Sequence, residues 1–211
     1  MKVAVFLTGR LSKHYVYTYR NILNTFKDCE IDFFVMHCCK DEELINKMKE
    51  LYKPVLCQTT KIEDYSFLNK IKNVKPPRPN IFNVVNMFNN RFTLFNVFEK
   101  YCQENNKNYG LVVSYRFDLH AKKSQFSMKK FYEQLQDNSI LIPRKFDWGG
   151  LNDQMAIGRI EIMKKYFSLF EKLPELLENQ AFHAETLLKV HVNNEKIKVK
   201  RFWYNYKIIY D

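Results

Sequence analysis

The chain has few residues that interrupt regular structure, with 5 glycines and 6 prolines among 211 residues. That content is too low for a collagen-like, linker-rich or disordered protein. Apolar runs are short, well under the ~20 residues of a membrane span, and the run after Met1 is too short for the core of a signal peptide. These features predict a soluble intracellular protein without a membrane span.

Two groups of motifs are also missing. The five cysteines form no CxxC pair, which predicts free thiols in a reducing compartment. The turn Thr8-Gly9-Arg10 has one glycine where a dinucleotide-binding GxGxxG has three, and the sequence has no GxxxxGK[ST]. A dinucleotide enzyme, a P-loop enzyme and a Rossmann-type methyltransferase are therefore disfavoured.

What the chain does have is a globular composition, with 46% hydrophobic and 16% aromatic residues spread evenly from end to end. This favours one domain with a sizeable core. The 34 Lys+Arg against 23 Asp+Glu give a formal charge of +11, which favours anionic partners. Because the lysines are dispersed, we interpret most of them as solvated surface, and a basic nucleic-acid-binding module stays as the rival function.

The first 60 residues alternate apolar runs with helical patterns. We predict strands at Val3–Leu7, Ile31–Cys38 and Val55–Thr59, with helices at Tyr15–Phe26 and Asp41–Leu51. This order is typical of a parallel sheet with crossover helices, in which ligands bind beyond the carboxyl ends of the strands.

The remainder continues the α/β pattern after a proline-rich irregular connection at 61–80. Its predicted elements are a helix at 81–104, a strand at 111–115, a helix near 127–136, a strand at 140–142, a helix or strand-plus-helix at 157–173, a helix at 183–192 and an edge strand at 197–209. We therefore expect an α/β fold whose central mixed, mainly parallel sheet of about six or more strands is flanked by helices.

Asp118 and His120 follow the predicted buried strand at 111–115. A carboxylate and an imidazole two residues apart at a strand end can face one divalent cation, which would neutralise a diphosphate. The alternative is an aspartate that caps a turn and a surface histidine.

The loop from Trp148 to Gln154 is a second candidate site. Trp148 offers a flat apolar face for a sugar ring, and Gly149 and Gly150 let the backbone approach a ligand. Asp153 is our first choice for a base that takes a proton from an acceptor hydroxyl. The alternative is a tight loop whose aspartate caps the next helix.

Two arginines are phosphate-binding candidates. Arg10 follows the glycine of the first turn, with Thr8 and Gly9 close enough to contact a nucleotide. Arg91 lies on the mostly apolar side of the long helix, where an unpaired cation would be costly. Pairing of Arg91 within the core is an equal alternative. The asparagines of the same helix are interpreted as an exposed polar face.

The late helix supplies His183, Glu185 and His191. The two histidines are eight residues, or ~12 Å, apart along a helix, so at most one can join a metal site, and we assign His191. Glu185 is the reserve candidate for the base, against a plain surface role.

Three blocks together resemble the GT-A glycosyltransferases of large DNA viruses, including those that build capsid glycans. They are Thr8-Gly9-Arg10, Arg116-Phe117-Asp118-Leu119-His120 and Gly150–Gly158. The resemblance places Asp118 and His120 at the DxD positions, implies a Mn²⁺ (or Mg²⁺) cofactor, and puts Tyr115 and Arg116 beside the nucleotide-sugar. It also groups Asn152 with the acceptor-binding loop, as an alternative to Asp153 for the base.

The resemblance implies a metal-dependent transfer of a glucose- or rhamnose-like hexose from a UDP-sugar to a glycan hydroxyl, with inversion, on a viral capsid protein. The expected protein is a monomer in the host cytoplasm that binds no nucleic acid. Residues 1–120 would form the nucleotide-binding half of a single domain, and residues 121–211 the acceptor-binding half. The aromatic and basic end of the sequence is also compatible with a fragment of a longer protein.

Overall fold

The computed structural model describes residues 1–60, 65–71, 80–121, 128–135 and 137–209. Its strands are β1 (Lys2–Gly9), β2 (Glu30–His37), β3 (Leu56–Thr59), β4 (Leu111–Arg116), β5 (Leu119–Ala121), β6 (Ser139–Pro143), β7 (Ala156–Gly158), β8 (Lys198–Phe202) and β9 (Tyr206–Ile208). Its α-helices are α1 (Tyr15–Thr25), α2 (Glu42–Tyr52), α3 (Ile81–Asn105), α4 (Met128–Gln134), α5 (Ile160–Phe167), α6 (Leu169–Asn179) and α7 (Ala184–Asn194).

Seven strands form one mixed sheet in the order β3-β2-β1-β4-β7-β6-β8. The first four are parallel, β7 is antiparallel to both β4 and β6, and β6 and β8 are parallel. The predicted mixed, mainly parallel sheet is therefore confirmed. The single edge strand predicted at 197–209 is instead divided into β8, which forms one edge of this sheet, and β9, which does not belong to it. A second, two-stranded sheet pairs β5 with β9.

Both faces of the sheet are covered by other elements, and the central strand β1 has apolar side chains on both faces. Along β1, Ala4 and Phe6 face the core under α3, α5, α6 and α7. Val3, Val5 and Leu7 face the opposite core, which α1, α2 and the β5–β9 pair cover. A strand buried on both faces appears in sequence as a continuous apolar run, as Val3–Leu7 does.

Asparagine and aspartate side chains set the limits of the helices beside the sheet. The Asn80 side chain accepts a hydrogen bond from the Asn83 backbone N–H. Asp41 caps α2 in the same way through the Leu44 N–H. Asn106, the residue after α3, has a left-handed φ of 50° and donates its backbone N–H to the Cys102 carbonyl. Such residues satisfy backbone groups that the first and last turns leave without helical partners.

Three details differ from the sequence-based expectations. β2 ends at His37, so Cys38 lies beyond the strand and is exposed. Residues 157–173 form β7, α5 and the start of α6, which selects the strand-plus-helix alternative. Most of the connection at 61–80 lies outside the described residues, which include a 3-10 helix at Ser66–Lys70.

No helix in the described part of the chain combines the length and the apolar character needed to cross a bilayer.

Replacing Phe6 by alanine should destabilise the protein by ~3–5 kcal/mol, because the side chain is fully buried and its loss leaves a cavity. The Phe6 ring stacks on Phe167 at 5.6 Å and meets the edge of Phe98 at 5.1 Å. Urea denaturation measures the change. Leu23→Ala on an exposed face of α1 is the control and should alter stability by about 0.5 kcal/mol or less. Equal effects of the two substitutions would contradict this assignment of the core.

Candidate active site

A cleft of about 630 Å³ opens at the carboxyl edge of the four parallel strands. The strand ends supply Thr8, Gly9 and Arg10 at the end of β1, Cys38 after β2, Thr60 after β3, and Arg116, Phe117 and Asp118 at the end of β4. This volume is within the range of small-molecule sites, and the position is where open α/β sheets bind ligands.

One side of α3 forms a second wall of the cleft. Asn83, Met87 and Asn90 lie at a spacing of four and three residues, which places them on one helix face. Asn90 is only 4% exposed, so the asparagines are not the outward polar face that the sequence suggested. Asn86 also lines the cleft, and its side-chain oxygen accepts a hydrogen bond from the Tyr65 hydroxyl at 2.7 Å.

The third wall is the loop 145–154, which is held by a buried asparagine. Asn152 is fully buried, and its Nδ2 donates to the Lys145 carbonyl and, at 2.7 Å, to the Tyr206 hydroxyl. Its Oδ1 accepts from the Gln154 N–H at 2.9 Å. Asn152 therefore shapes the loop from inside and is not exposed to an acceptor, which corrects its predicted role in acceptor binding.

The loop is docked on the first turn of α7. The Leu151 N–H donates to the Glu185 carbonyl at 2.9 Å, and a Cβ on Gly150 would lie 2.1 Å from the Glu185 backbone. Only glycine allows this approach. As a result, Asp153 and Glu185 line the same cleft, with the 64% exposed Trp148 at its mouth.

Glu185 is the most perturbed acid in the cleft. Burial raises its pKa from 4.5 to about 7, the negative charge of Asp153 adds to the increase, and Arg116 opposes it. His183 Nε2 lies 3.4 Å from the Glu185 carboxylate. A carboxylate with a pKa near neutral can exchange a proton at physiological pH.

Basic and hydroxyl groups meet at the ends of β1 and β4. Thr8 is the register partner of Arg116, and the Arg116 guanidinium donates two hydrogen bonds to the Asp118 carboxylate at 2.8 and 2.6 Å. Thr8 Oγ1, Thr60 Oγ1 and Gln154 Oε1 are buried and have no hydrogen-bond partner among the described residues. Since buried polar atoms are normally paired, these three indicate a polar ligand.

Two residues predicted to contact the nucleotide-sugar lie elsewhere. Tyr115 is fully buried, and its hydroxyl lies 2.7 Å from that of Tyr204, below the sheet edge. Arg91 is 2% exposed and does not line the cleft, but its Nη2 donates to the Asp153 carbonyl at 2.6 Å. Neither residue can contact a nucleotide in this arrangement, although Arg91 supports the loop that carries Asp153.

The predicted metal ligands are not brought together. His120 in β5 packs against Tyr17 of α1, with ring centroids 5.7 Å apart, and does not line the cleft. His191 is buried, and its Nε2 donates to the Lys165 carbonyl at 2.7 Å. Only Asp118 of the set reaches the cleft. The described residues contain no group of three His, Cys, Asp or Glu side chains that could hold an ion, so the predicted set does not fit a cation.

Several cleft residues were not assigned by sequence reasoning. Thr60 and Cys38 could have been found from the rule that ligands bind at the carboxyl ends of parallel strands, because Thr60 follows one predicted strand and Cys38 ends another. His183 and Gln154 carry no such signal, since their positions depend on how the loop packs against α7.

Comparison with known proteins gives no match to a family model and none to a curated sequence. Solved structures do match. The galactosyltransferase LgtC, solved with donor and acceptor sugar analogues, has a TM-score of 0.54 at 11% identity over 95% of this chain and 73% of its own. The chain has the GT-A fold.

Two further GT-A structures agree. Mouse xyloside xylosyltransferase 1 has a TM-score of 0.53 at 9% identity, over 96% of this chain and 85% of its own. S. aureus TarS has a TM-score of 0.52 at 11% identity, over 100% of this chain and 37% of its own. Identities this low show a common fold, while the activity must be argued from the cleft.

Glu185→Gln should gain stability relative to wild type as pH rises. Because the folded pKa of about 7 is above the ordinary 4.5, wild type loses stability between those two pH values, and glutamine removes that loss. The melting temperature of wild type should fall between pH 5 and pH 8 by a few degrees more than that of the variant. The exposed Glu178→Gln on α6 is the control. If the difference in melting temperature between Glu185→Gln and wild type is the same at pH 5 and at pH 8, the pKa of Glu185 is not raised.

Proposed function

We propose that this chain is a glycosyltransferase that moves a hexose from a UDP-sugar to a hydroxyl group of an acceptor. The observation that supports this most is the distribution of charge in the cleft. Arg10 and Arg116 lie at the strand ends, while Asp153 and Glu185 lie on the loop and α7. A sugar nucleotide carries a diphosphate, which suits the arginines, and its reacting carbon would then face the carboxylates.

The donor would lie along the carboxyl edge of the sheet. Its diphosphate would contact the arginines, and its uridine would lie between the ends of β1 to β3 and the polar face of α3. The hydroxyls of Thr8 and Thr60, which have no hydrogen-bond partner among the residues that the structure describes, lie along this path and would bond to donor oxygens. Uridine itself follows from the sequence resemblance, so a panel of nucleotides is the direct test.

The transfer step would be a direct displacement with inversion. The acceptor oxygen forms a bond to the anomeric carbon of the donor while the bond from that carbon to the diphosphate oxygen breaks. The bonding electrons leave with UDP, and the acceptor proton passes to a carboxylate. Holding the three groups in line supplies much of the rate acceleration by proximity.

We assign the proton to Glu185 rather than to Asp153, the first choice from sequence. The raised pKa of Glu185 makes it a stronger base when ionised, and the negative charge of Asp153 contributes to that increase. Asp153 would then bond to a hydroxyl of the acceptor or donor sugar. His183, 3.4 Å from the Glu185 carboxylate, would orient it.

The acceptor would enter past Trp148. This side chain is 64% exposed at the mouth of the cleft and presents an indole face, on which a sugar ring can stack. A glycan is therefore the class of acceptor that we propose. A viral capsid protein as the carrier of that glycan stays a prediction of the sequence resemblance.

UDP should raise the melting temperature more than GDP or CMP in a thermal-shift panel run both with EDTA and with Mn²⁺. Ligand at about 100 times its Kd adds ~2.7 kcal/mol, which corresponds to several degrees for a domain of this size. Addition of a duplex oligonucleotide is the control for the rival nucleic-acid-binding function. Stabilisation by the oligonucleotide alone, lost with added salt, would favour that rival.

Glu185→Gln should bind UDP as wild type does but lose transfer or donor hydrolysis by ~10²–10⁴-fold, because glutamine cannot accept the proton. Wild-type kcat/KM should rise with pH through about 7, as the carboxylate of Glu185 ionises. Release of UDP from UDP-hexoses measures both. Glu178→Gln should keep full activity. If Asp153→Asn shows the larger loss and the pH dependence persists in Glu185→Gln, the base is Asp153.

A further inference from the structure

Asp118, the acid expected to hold a divalent metal ion, is already bound to the guanidinium of Arg116. Arg116 Nε donates to Asp118 Oδ1 at 2.8 Å and Nη2 donates to Oδ2 at 2.6 Å. The two side chains are only 28% and 21% exposed, so water screens the pair weakly. A two-pronged bond of this kind neutralises the carboxylate and fixes the plane of the guanidinium.

The same edge of the sheet places two more polar groups beside this pair. Thr8 is the register partner of Arg116 across β1 and β4, where adjacent strands are ~4.8 Å apart. Thr8 Oγ1 is buried at 3% residue exposure and has no hydrogen-bond partner in the described part of the chain. Arg10 follows two residues later, after Gly9 turns the chain with a φ of +108°. All of them line the cleft.

We propose that Arg10 and Arg116 bind the donor diphosphate directly, with Asp118 orienting Arg116, so that nucleoside diphosphate binds this cleft without a divalent cation. The inference rests on the proposed function and specifies how that site holds its donor. In this arrangement Asp118 is a positioning residue for Arg116 and not a metal ligand. Thr8 Oγ1 donates to the same group of phosphate oxygens.

The chemistry of arginine suits this role. A guanidinium carries its N–H donors in a fixed plane, and the two bonds to Asp118 hold that plane of Arg116 at the edge of the cleft. Because the Arg116–Asp118 pair is neutral overall, the net positive charge at this edge comes from Arg10, and arginine forms paired bonds to phosphate oxygens. Since Asp118 holds Arg116 in place before the ligand arrives, little side-chain entropy is lost on binding.

The competing arrangement is a cation held by the phosphates with Asp118 as its protein ligand. It would place the cation on lone pairs of the Asp118 carboxylate that the bonds from Arg116 do not use, or would replace those bonds. The two arrangements predict opposite effects of cation removal and of substitution at Asp118, which makes them separable by binding measurements alone.

Isothermal titration of wild-type protein with UDP, in EDTA and again in Mn²⁺, tests the proposal. We expect Kd values within about threefold of each other. Binding that is more than about tenfold weaker in EDTA would overturn the proposal while leaving the glycosyltransferase function in place. No binding of any nucleotide in either condition would overturn both.

Substitutions test the individual roles under the same two conditions. Arg10→Ala and Arg116→Ala should each raise the Kd for UDP ~10- to 100-fold in EDTA, as expected for loss of a charged hydrogen bond. Arg20→Ala, which removes the same charge from an exposed position on α1, should leave the Kd unchanged. Equal effects of all three would indicate a general charge effect and overturn the proposed site.

Asp118→Asn distinguishes a positioning residue from a metal ligand. If Asp118 orients Arg116, the substitution should weaken UDP binding by a similar factor in EDTA and in Mn²⁺, and Asp118→Glu should restore part of the affinity. Thermal unfolding checks that both variants are folded. A loss confined to the Mn²⁺ condition would show that Asp118 is a ligand of the cation and would overturn the proposal.

Discussion

The parallel pairing of β1 with both β2 and β4 is the constraint on which the rest of the structure depends. It brings the carboxyl ends of these strands to one edge, so residues more than 100 positions apart in sequence become neighbours, as Thr8 and Arg116 are. The pairing is stable because β1 is apolar on both faces and is buried between two cores. A polar side chain inside β1 would weaken this packing, whereas polar residues just beyond Thr8 are exposed to the cleft.

The opposite wall depends on a second constraint, the close approach of the loop 145–154 to α7. Gly150 allows backbone contact with Glu185, and Asn152 satisfies buried polar groups inside the loop. Arg91 adds a bond from α3 to the Asp153 carbonyl. These interactions use residues that do not line the cleft to position two carboxylates that do. The side chains that shape the site therefore differ from those that would contact a substrate.

The cleft consequently has one basic side and one acidic side. On the basic side, the Arg116–Asp118 pair is locally neutral, so Arg10 makes the strand-end region net positive. On the acidic side, the proximity of Asp153 to Glu185 disfavours two full negative charges, which is part of why Glu185 holds its proton to a higher pH. This separation suits a ligand whose anionic group lies at one end and whose reacting centre lies at the other.

The α/β class, the order of elements and the carboxyl edge as the position of the candidate site could be predicted from the sequence, because apolar periodicity and strand ends are local properties. It also identified Arg10, Arg116, Asp118, Asp153 and Glu185, all of which line the cleft. The three-dimensional packing was needed to show that Tyr115, Arg91 and Asn152 are buried supports and that His120 and His191 lie away from the cleft. The direction of a side chain depends on packing between distant segments, and neither spacing nor composition specifies that packing.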